Sequence, residues 1–537
     1  MNRREFIVGT SALGGAALLG ACSASSTTMV AGRILGASAA AGHRLRTGNI
    51  PPVSEEISCE SVILGGGIAG LAAARRLKKH AVSDFLILEL EAEVGGNAQS
   101  GKNEVSAYPW GAHYLPIPSA ESVEVIELLE ELGLVIGRNA DGAPLYDEYA
   151  LCSDPMERLF VNGAWQEGLI PRLDVPPEEL KQIDAFLARM DFFRSQRGAD
   201  GRRAFVLPID RSSQDEKFLS LDRITMSAFL QREGFTAEAL RWYVDYCCRD
   251  DYGAGIEEIS AWAGIHYFAA RNARAGNASS HAVLTWPEGN GWLVERLRQP
   301  AREQIRTRSL VCRVETSDTG VVVDYLDLVR ERTIRVHAKA AICALPRFVA
   351  VHLIQGPEAK NVGSRDLVYS PWMVANVTVR DWPRQHDAPL SWDNVFRRSR
   401  SLGYVNATHQ NLNSHLMDTV LTYYQPLDEA APPAAREAAL ARDHASWTKQ
   451  ILQDLALAHP TLAPQVERID IWLWGHAMIR PVPGFIWGET RRRMQAPLGR
   501  LTFAHSDMSG ISVFEEAYTR GVNAADVVLA QLRRSGA

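Results

Sequence analysis

The sequence predicts an α/β fold, and three observations predict it. Ser61-Val62-Ile63-Leu64 is an apolar run of strand type, followed by Gly65-Gly66-Gly67-Ile68-Ala69-Gly70 and then by Leu71-Ala72-Ala73-Ala74-Arg75-Arg76-Leu77, strong helix formers without a breaker. A second apolar run, Phe85-Leu86-Ile87-Leu88, ends in Glu89. Near the far end of the chain, Gly499 to Ala504 reads as another short strand, with a polar loop and a long helical stretch after it. Strand, glycine turn, helix and strand in that order make a Rossmann-type βαβ unit.

The bulk properties bound what else the chain is. Its 537 residues exceed what one small core organises and fit two domains. Hydrophobic residues at 46% and charged residues at 22% are the balance of a soluble globular protein, and the net charge of -6 carries no basic block of the kind a nucleic-acid binder needs. None of the seven cysteines falls in a zinc-ligand spacing, so no metal site is read. Adjacent Cys247 and Cys248 read as two partly buried thiols rather than a strained vicinal disulfide.

The first residues are read as a transport signal and set aside from the fold. Arg3 and Arg4 precede a Gly/Ala-rich apolar run from Phe6 to Ala21, shorter than the roughly 20 residues a spanning helix needs. The pair resembles a twin-arginine export signal, a route that carries folded proteins, and Leu19-Gly20-Ala21-Cys22 resembles the box of a bacterial lipoprotein. Residues 1–22 are thus expected to engage export machinery, with a membrane tether through Cys22. Residues 23–55, rich in Ala, Ser, Gly and Thr, are expected to be a flexible tether. The expected location is the periplasm or cell envelope.

Each glycine of the turn has a role. Gly65 permits the tight turn, Gly67 lets the backbone approach a pyrophosphate, and Gly70 lets the helix pack close to the strand. The helix start at Ile68 and Ala69 presents free amides and the positive dipole end to the phosphates. Glu89 stands where an acid binds ribose hydroxyls and disfavours a 2′-phosphate.

Six residues beyond Glu89 comes Gly95-Gly96-Asn97, and here the sequence resembles the flavin-containing amine oxidase superfamily, which includes phytoene desaturase-like and protoporphyrinogen oxidase-like enzymes. The resemblance implies FAD as the cofactor. It also implies a glutathione reductase-like FAD-binding domain interleaved with an α+β substrate domain. The family's Arg after the glycine pair is replaced by Asn97. Gly111, Ala112 and His113 fall where the family brings a small-residue loop beside the isoalloxazine. Val311 falls on the strand that supplies backbone contacts to adenine. Ser506, Asp507 and Phe514 fall in the closing strand, loop and helix that meet the ribityl chain and flavin carbonyls, although His505-Ser506 replaces the usual Gly-Asp or Gly-Glu, so Asp507 substitutes at a shifted position. The implied organisation assigns 56–150, 281–350 and 485–537 to FAD binding, and 151–280 and 351–484 to the substrate domain.

The implied chemistry is oxidation of an amine or polyamine by hydride transfer to flavin N5, with O2 or a quinone taking the electrons. Two departures stand against it. The strand from Trp372 to Val377 lacks the family's lysine, and the positions of the facing aromatic pair fall near Val513 and Ala477. His476 and His113 are the catalytic candidates, His476 as a proton acceptor on the substrate face and each with a structural histidine as its alternative. The acidic run Asp250-Asp251 reads as a solvated turn, with a polyamine-attracting funnel as the alternative. Rival functions are a desaturase or dehydrogenase of a hydrophobic, carotenoid- or porphyrinogen-like substrate, and a non-catalytic flavin-binding envelope protein. An acidic, narrow cavity favours the amine; a wide apolar tunnel favours the hydrophobic substrate; a plugged flavin face favours the binding protein.

Overall fold

The computed structural model describes residues 30–356, 367–382, 390–411 and 417–535. The leader with Arg3, Arg4 and Cys22 lies outside the described residues. Two sheets organise the rest, and the chain passes between them repeatedly.

The first sheet is built on Val53–Leu64, whose last four residues are buried and last three apolar. Phe85–Leu88 pairs parallel to it on one side, with Ile305–Arg306 beyond. On the other side Arg332–Cys343 runs parallel, and its end carries Leu501–Phe503 as a further parallel strand. The first half of Arg332–Cys343 instead takes the antiparallel hairpin Ser309–Thr316 and Val321–Asp327. One domain is therefore assembled from three separated stretches of chain. Helices Ile68–Lys79 and Phe514–Ser535 cover one face and touch closely: a Cβ on Gly521 would stand 2.1 Å from the Ala69 carbonyl oxygen.

The second sheet has eight strands, in the order Ile34–Gly36, Val466–Ile479, Tyr369–Val379, Thr419–Pro426, Tyr404–Asn406, Asp393–Phe396, Glu157–Val161 and Ala164–Glu167. Tyr369–Val379 is buried at every position because both faces of the sheet are covered. One face packs on Pro177–Ser195, Glu238–Tyr252 and Ala261–Ala269, the other on His444–Leu455.

Two expectations are corrected here. Residues 30–55 are not a loose tether. Ile34–Gly36 pairs parallel with Ile471 to Leu473, and helix Ala39–Thr47 follows. Ser38 bonds Glu91 through both its amide and its hydroxyl, at 2.8 and 2.7 Å, and Arg44 forks onto Glu331. Strand pairing uses main-chain groups, so a small-residue composition does not prevent it. The run Arg249 to Gly253 is also not a solvated turn: Asp250 and Asp251 close helix Glu238–Tyr252 and face inward. Cys247 and Cys248 on that helix are buried free thiols.

Candidate active site

The dinucleotide half is made of backbone. Gly65 has φ +98°, and Gly67 caps helix Ile68–Lys79 with nothing within 4 Å of where a Cβ would lie. At Gly70 a Cβ would stand 2.0 Å from the Gly65 carbonyl oxygen. Gly95, at φ +123°, donates its amide to the Gly66 carbonyl at 2.8 Å, which lays the second glycine pair on the first turn. The buried Glu89 carboxylate accepts the amides of Gly66 and Glu91, one on each oxygen, at 2.7 and 2.8 Å. Each oxygen keeps a lone pair for a ribose hydroxyl. Val311 lies near Ser309, whose amide donates to the Glu89 carbonyl at 2.8 Å. The open face at Gly67 and the uncommitted first-turn amides of Ile68 and Ala69 fit an FAD pyrophosphate.

The loop from Pro109 to Tyr114 is pinned along its length. The Pro109 carbonyl accepts from Asn376, the Trp110 carbonyl from the Trp474 indole at 2.6 Å, and the Gly111 carbonyl from the Tyr424 hydroxyl at 2.9 Å. The Ala112 amide donates to Asn97, and the His113 and Tyr114 carbonyls accept from Thr285 and Asn290. Gly111 has no room for a side chain, since a Cβ would stand 2.3 Å from the Asn97 oxygen. Asn97 itself donates its side-chain amide to the Ala477 carbonyl, joining the two halves.

Between this loop and the substrate sheet lies a cavity of about 170 Å³. The dinucleotide half contributes Asn97, Gly111, Ala112, His113 and the run Ser512, Val513, Phe514 and Glu515. The substrate half contributes Asp250, Asp251, Arg271, Asp393 and an aromatic wall that includes Tyr246, Tyr267, Trp372, Tyr424 and Trp474. Val513 and Ala477 do face the cavity, and the aromatic surfaces come from other elements: His113 stacks on Tyr424 at 4.6 Å.

The lining carries four carboxyl groups and one guanidinium. Arg271 pairs with Asp251 at 2.9 Å. Burial, with Asp251 alongside, pushes Asp250 up from the usual carboxylate range. Burial, with Glu157 and Asp250, does the same to Asp393, and burial raises Glu515 to about 7. Burial lowers His113 to about 4, so its ring is neutral near pH 7.

His476 is corrected: it is not on the cavity wall. It stacks on Phe348 at 4.1 Å and meets Tyr369 edge-on. The cause is a bulge. Ser370 and Trp372 pair with Met478 and Trp474, so Val466–Ile479 carries two extra residues there, which turn His476 away. Asp507 is also directed inward. It accepts the Tyr369 hydroxyl and the Arg347 amide at 2.6 and 2.8 Å and faces His505. Burial pushes its carboxyl up, but His505 and these donors outweigh that and hold it below the usual range. Ser506 is buried beside it, and Phe514 reaches the cavity. Arg271, Asp393 and Tyr424 were not singled out from sequence, where each stands among residues with no distinctive motif.

A glycine-lined dinucleotide cradle facing an acid-lined cavity defines a cofactor-dependent oxidoreductase of two interleaved domains. Residues 68–529 match the flavin containing amine oxidoreductase family, and the chain belongs to it. FAD is its cofactor. Oxidoreductase PigB of Serratia sp. is 22% identical over 292 residues, a match that spans 52% of this chain and 42% of PigB. Cyclohexylamine oxidase from Brevibacterium oxydans superimposes with TM-score 0.63 at 16% identity, over 89% of this chain and all of that one. Putrescine oxidase with bound putrescine superimposes with TM-score 0.60 at 15% identity, over 88% of this chain and 100% of that one. At these identities the likeness is one of fold.

Proposed function

We propose that the protein oxidises an amine that enters the cavity as a cation. The observation that carries this reading is the acid content of the lining: Glu515 is buried, Asp250 and Asp393 are half-buried, and among the described residues the one guanidinium on the cavity wall, Arg271, is ion-paired with Asp251. Buried, uncompensated carboxyl groups are costly, and an ammonium ion relieves that cost. Bound FAD supplies the hydride acceptor. The chain's own residues do the rest. Tyr424 and Trp474 fix the carbonyls of Gly111 and Trp110, so the loop facing the flavin holds its place. The aromatic wall excludes water and offers π faces to a cation. The acids draw the substrate in and orient it. The missing lysine and the displaced aromatic pair are offset by this different lining.

The test is an anaerobic absorbance titration of the holoprotein with putrescine, spermidine, spermine and simple primary amines. Bleaching of the flavin band is expected with at least one of them. A band unmoved by every amine overturns the reading and turns the search to apolar, carotenoid- or porphyrinogen-like substrates.

We further place the enzyme in the bacterial cell envelope, exported folded and anchored through Cys22, on the strength of Arg3-Arg4, the apolar run and the box before Cys22. Cys22→Ser should move the protein from the membrane fraction to the soluble periplasm; an unchanged distribution removes the anchor from this reading.

A further inference from the structure

We propose that Glu515 is the group that takes the proton from the substrate ammonium. This rests on the amine reading above. Glu515 is the second residue of helix Phe514–Ser535 and follows directly on Ser512, Val513 and Phe514, which line the cavity. Glu515 itself lines the cavity, on the helix that belongs to the dinucleotide half. Asp250 and Asp393 reach the cavity from substrate-domain elements instead.

The other acids around the cofactor half are committed. Glu89 holds two backbone amides, and Asp507 holds Tyr369 and the Arg347 amide. Glu516, next in sequence, accepts the Ile209 amide and the Ser509 hydroxyl. Among the described residues no other residue's side chain hydrogen-bonds the Glu515 carboxylate, which meets its own backbone amide. The histidines do not compete: His113 is stacked into the aromatic wall and His476 lies off the cavity.

The step is a proton transfer alone. One N–H bond of the ammonium breaks, an O–H bond forms on Glu515, the two charges cancel and no electrons leave. The nitrogen lone pair so freed is what the oxidation needs when the C–H hydride passes to FAD. An ammonium in water is the weaker acid by several units, but burial lowers its pKa and raises that of the carboxyl, which brings the two together. Burial is the largest cause of the rise in Glu515 to about 7; among the charged groups facing it Glu516 and Asp251 act in the same direction, and Arg271 opposes them, as does the residue's own backbone amide.

The experiment is anaerobic stopped-flow reduction of the holoenzyme by its best amine from about pH 6 to 10, for wild type, Glu515→Gln and Glu515→Asp. In wild type the reduction rate should rise through a limb near neutrality and level off. Glu515→Gln, isosteric and uncharged, should be slowed at least about tenfold at pH 7 and recover only as pH approaches the amine's own pKa. Glu515→Asp should keep the neutral limb. A second measurement needs no variant: with an amine already neutral across this range, wild type should show no limb. Glu515→Gln with the wild-type pH profile, a loss equal at every pH, or a neutral limb that persists with the weakly basic amine each overturns the assignment. Failure of every amine to bleach the wild-type flavin is a different result and overturns the amine reading itself.

Discussion

The two walls of the site are made of different material. The dinucleotide wall is main chain: Gly65, Gly67 and Gly70 matter for the atoms they lack, and the helix over them packs glycine against carbonyl. The substrate wall is side chain: carboxyl groups, indoles and phenols gathered from two helices, several strands and a connecting segment. The first wall is consistent with a stable fold, since every close approach is also good packing. The second works against it, since several carboxyl groups are crowded together and partly withheld from water. A substitution in the first should therefore cost stability and cofactor together, whereas one in the second should trade function for stability.

Gly70→Ala should have the largest effect. Its Cβ meets the Gly65 backbone at 2.0 Å, which cannot give way, so most of the flavin absorbance per protein should be lost along with folded yield. Gly67→Ala separates the two properties. Nothing of the protein lies within 4 Å of that Cβ, so the melt of FAD-free protein should stay as in wild type while FAD binding weakens about tenfold or more. An apo melt lowered by Gly67→Ala would mean that the open face there is not the cofactor's.

In the second wall, Asp250→Asn with Asp393→Asn should weaken amine binding about a hundredfold with the flavin spectrum unchanged, read by the same anaerobic titration. The stability sign is opposite. A carboxyl whose folded pKa is raised contributes stability below its unfolded pKa and loses it as pH rises toward the folded value. For Glu515 that window runs from 4.5 to about 7. Glu515→Gln should thus match wild type near pH 4 and be more stable at pH 8, by up to about 3 kcal/mol, in denaturant melts. Equal stability at both pH values would show that the carboxyl is not held against water.

Tyr424→Phe removes one hydrogen bond from the Gly111 carbonyl, worth about 1 kcal/mol, and should slow flavin reduction by about tenfold or less. His476→Ala should be the smallest, under about twofold in reduction rate, because that ring packs on Phe348 away from the cavity. A large loss there would restore the role expected from sequence.

Legibility followed the same division. Gly65 to Gly70, Glu89 and Gly95-Gly96 belong to one short βαβ stretch and can be read from neighbours in the chain. The closing motif was legible in outline but not in direction. Phe514 reaches the cavity, while Asp507 turns inward to Tyr369 and Arg347, partners 138 and 160 residues away. Asp393 and Arg271 could not be recognised beforehand, because an acid in a strand or an arginine after a helix has no local signature of facing a cavity. His476 failed for a specific reason: its place near Trp474 in the chain says nothing of the bulge against Ser370 and Trp372, which inserts two residues between Trp474 and Met478. Residues 30–55 failed because composition reports side chains, whereas Ile34–Gly36 is held by backbone pairing.

The last strand of the first sheet, Leu501–Phe503, also sets an order of events during synthesis. It lies against the end of Arg332–Cys343, and the helix after it packs on Ile68–Lys79, near the other end of the chain. Val53–Leu64 can pair with Phe85–Leu88 as soon as both are made, but the closing strand Leu501–Phe503 and the helix Phe514–Ser535 that packs on Ile68–Lys79 come hundreds of residues later. The cradle at Gly65 to Gly70 therefore gains its full support only once the closing strand and helix have been made.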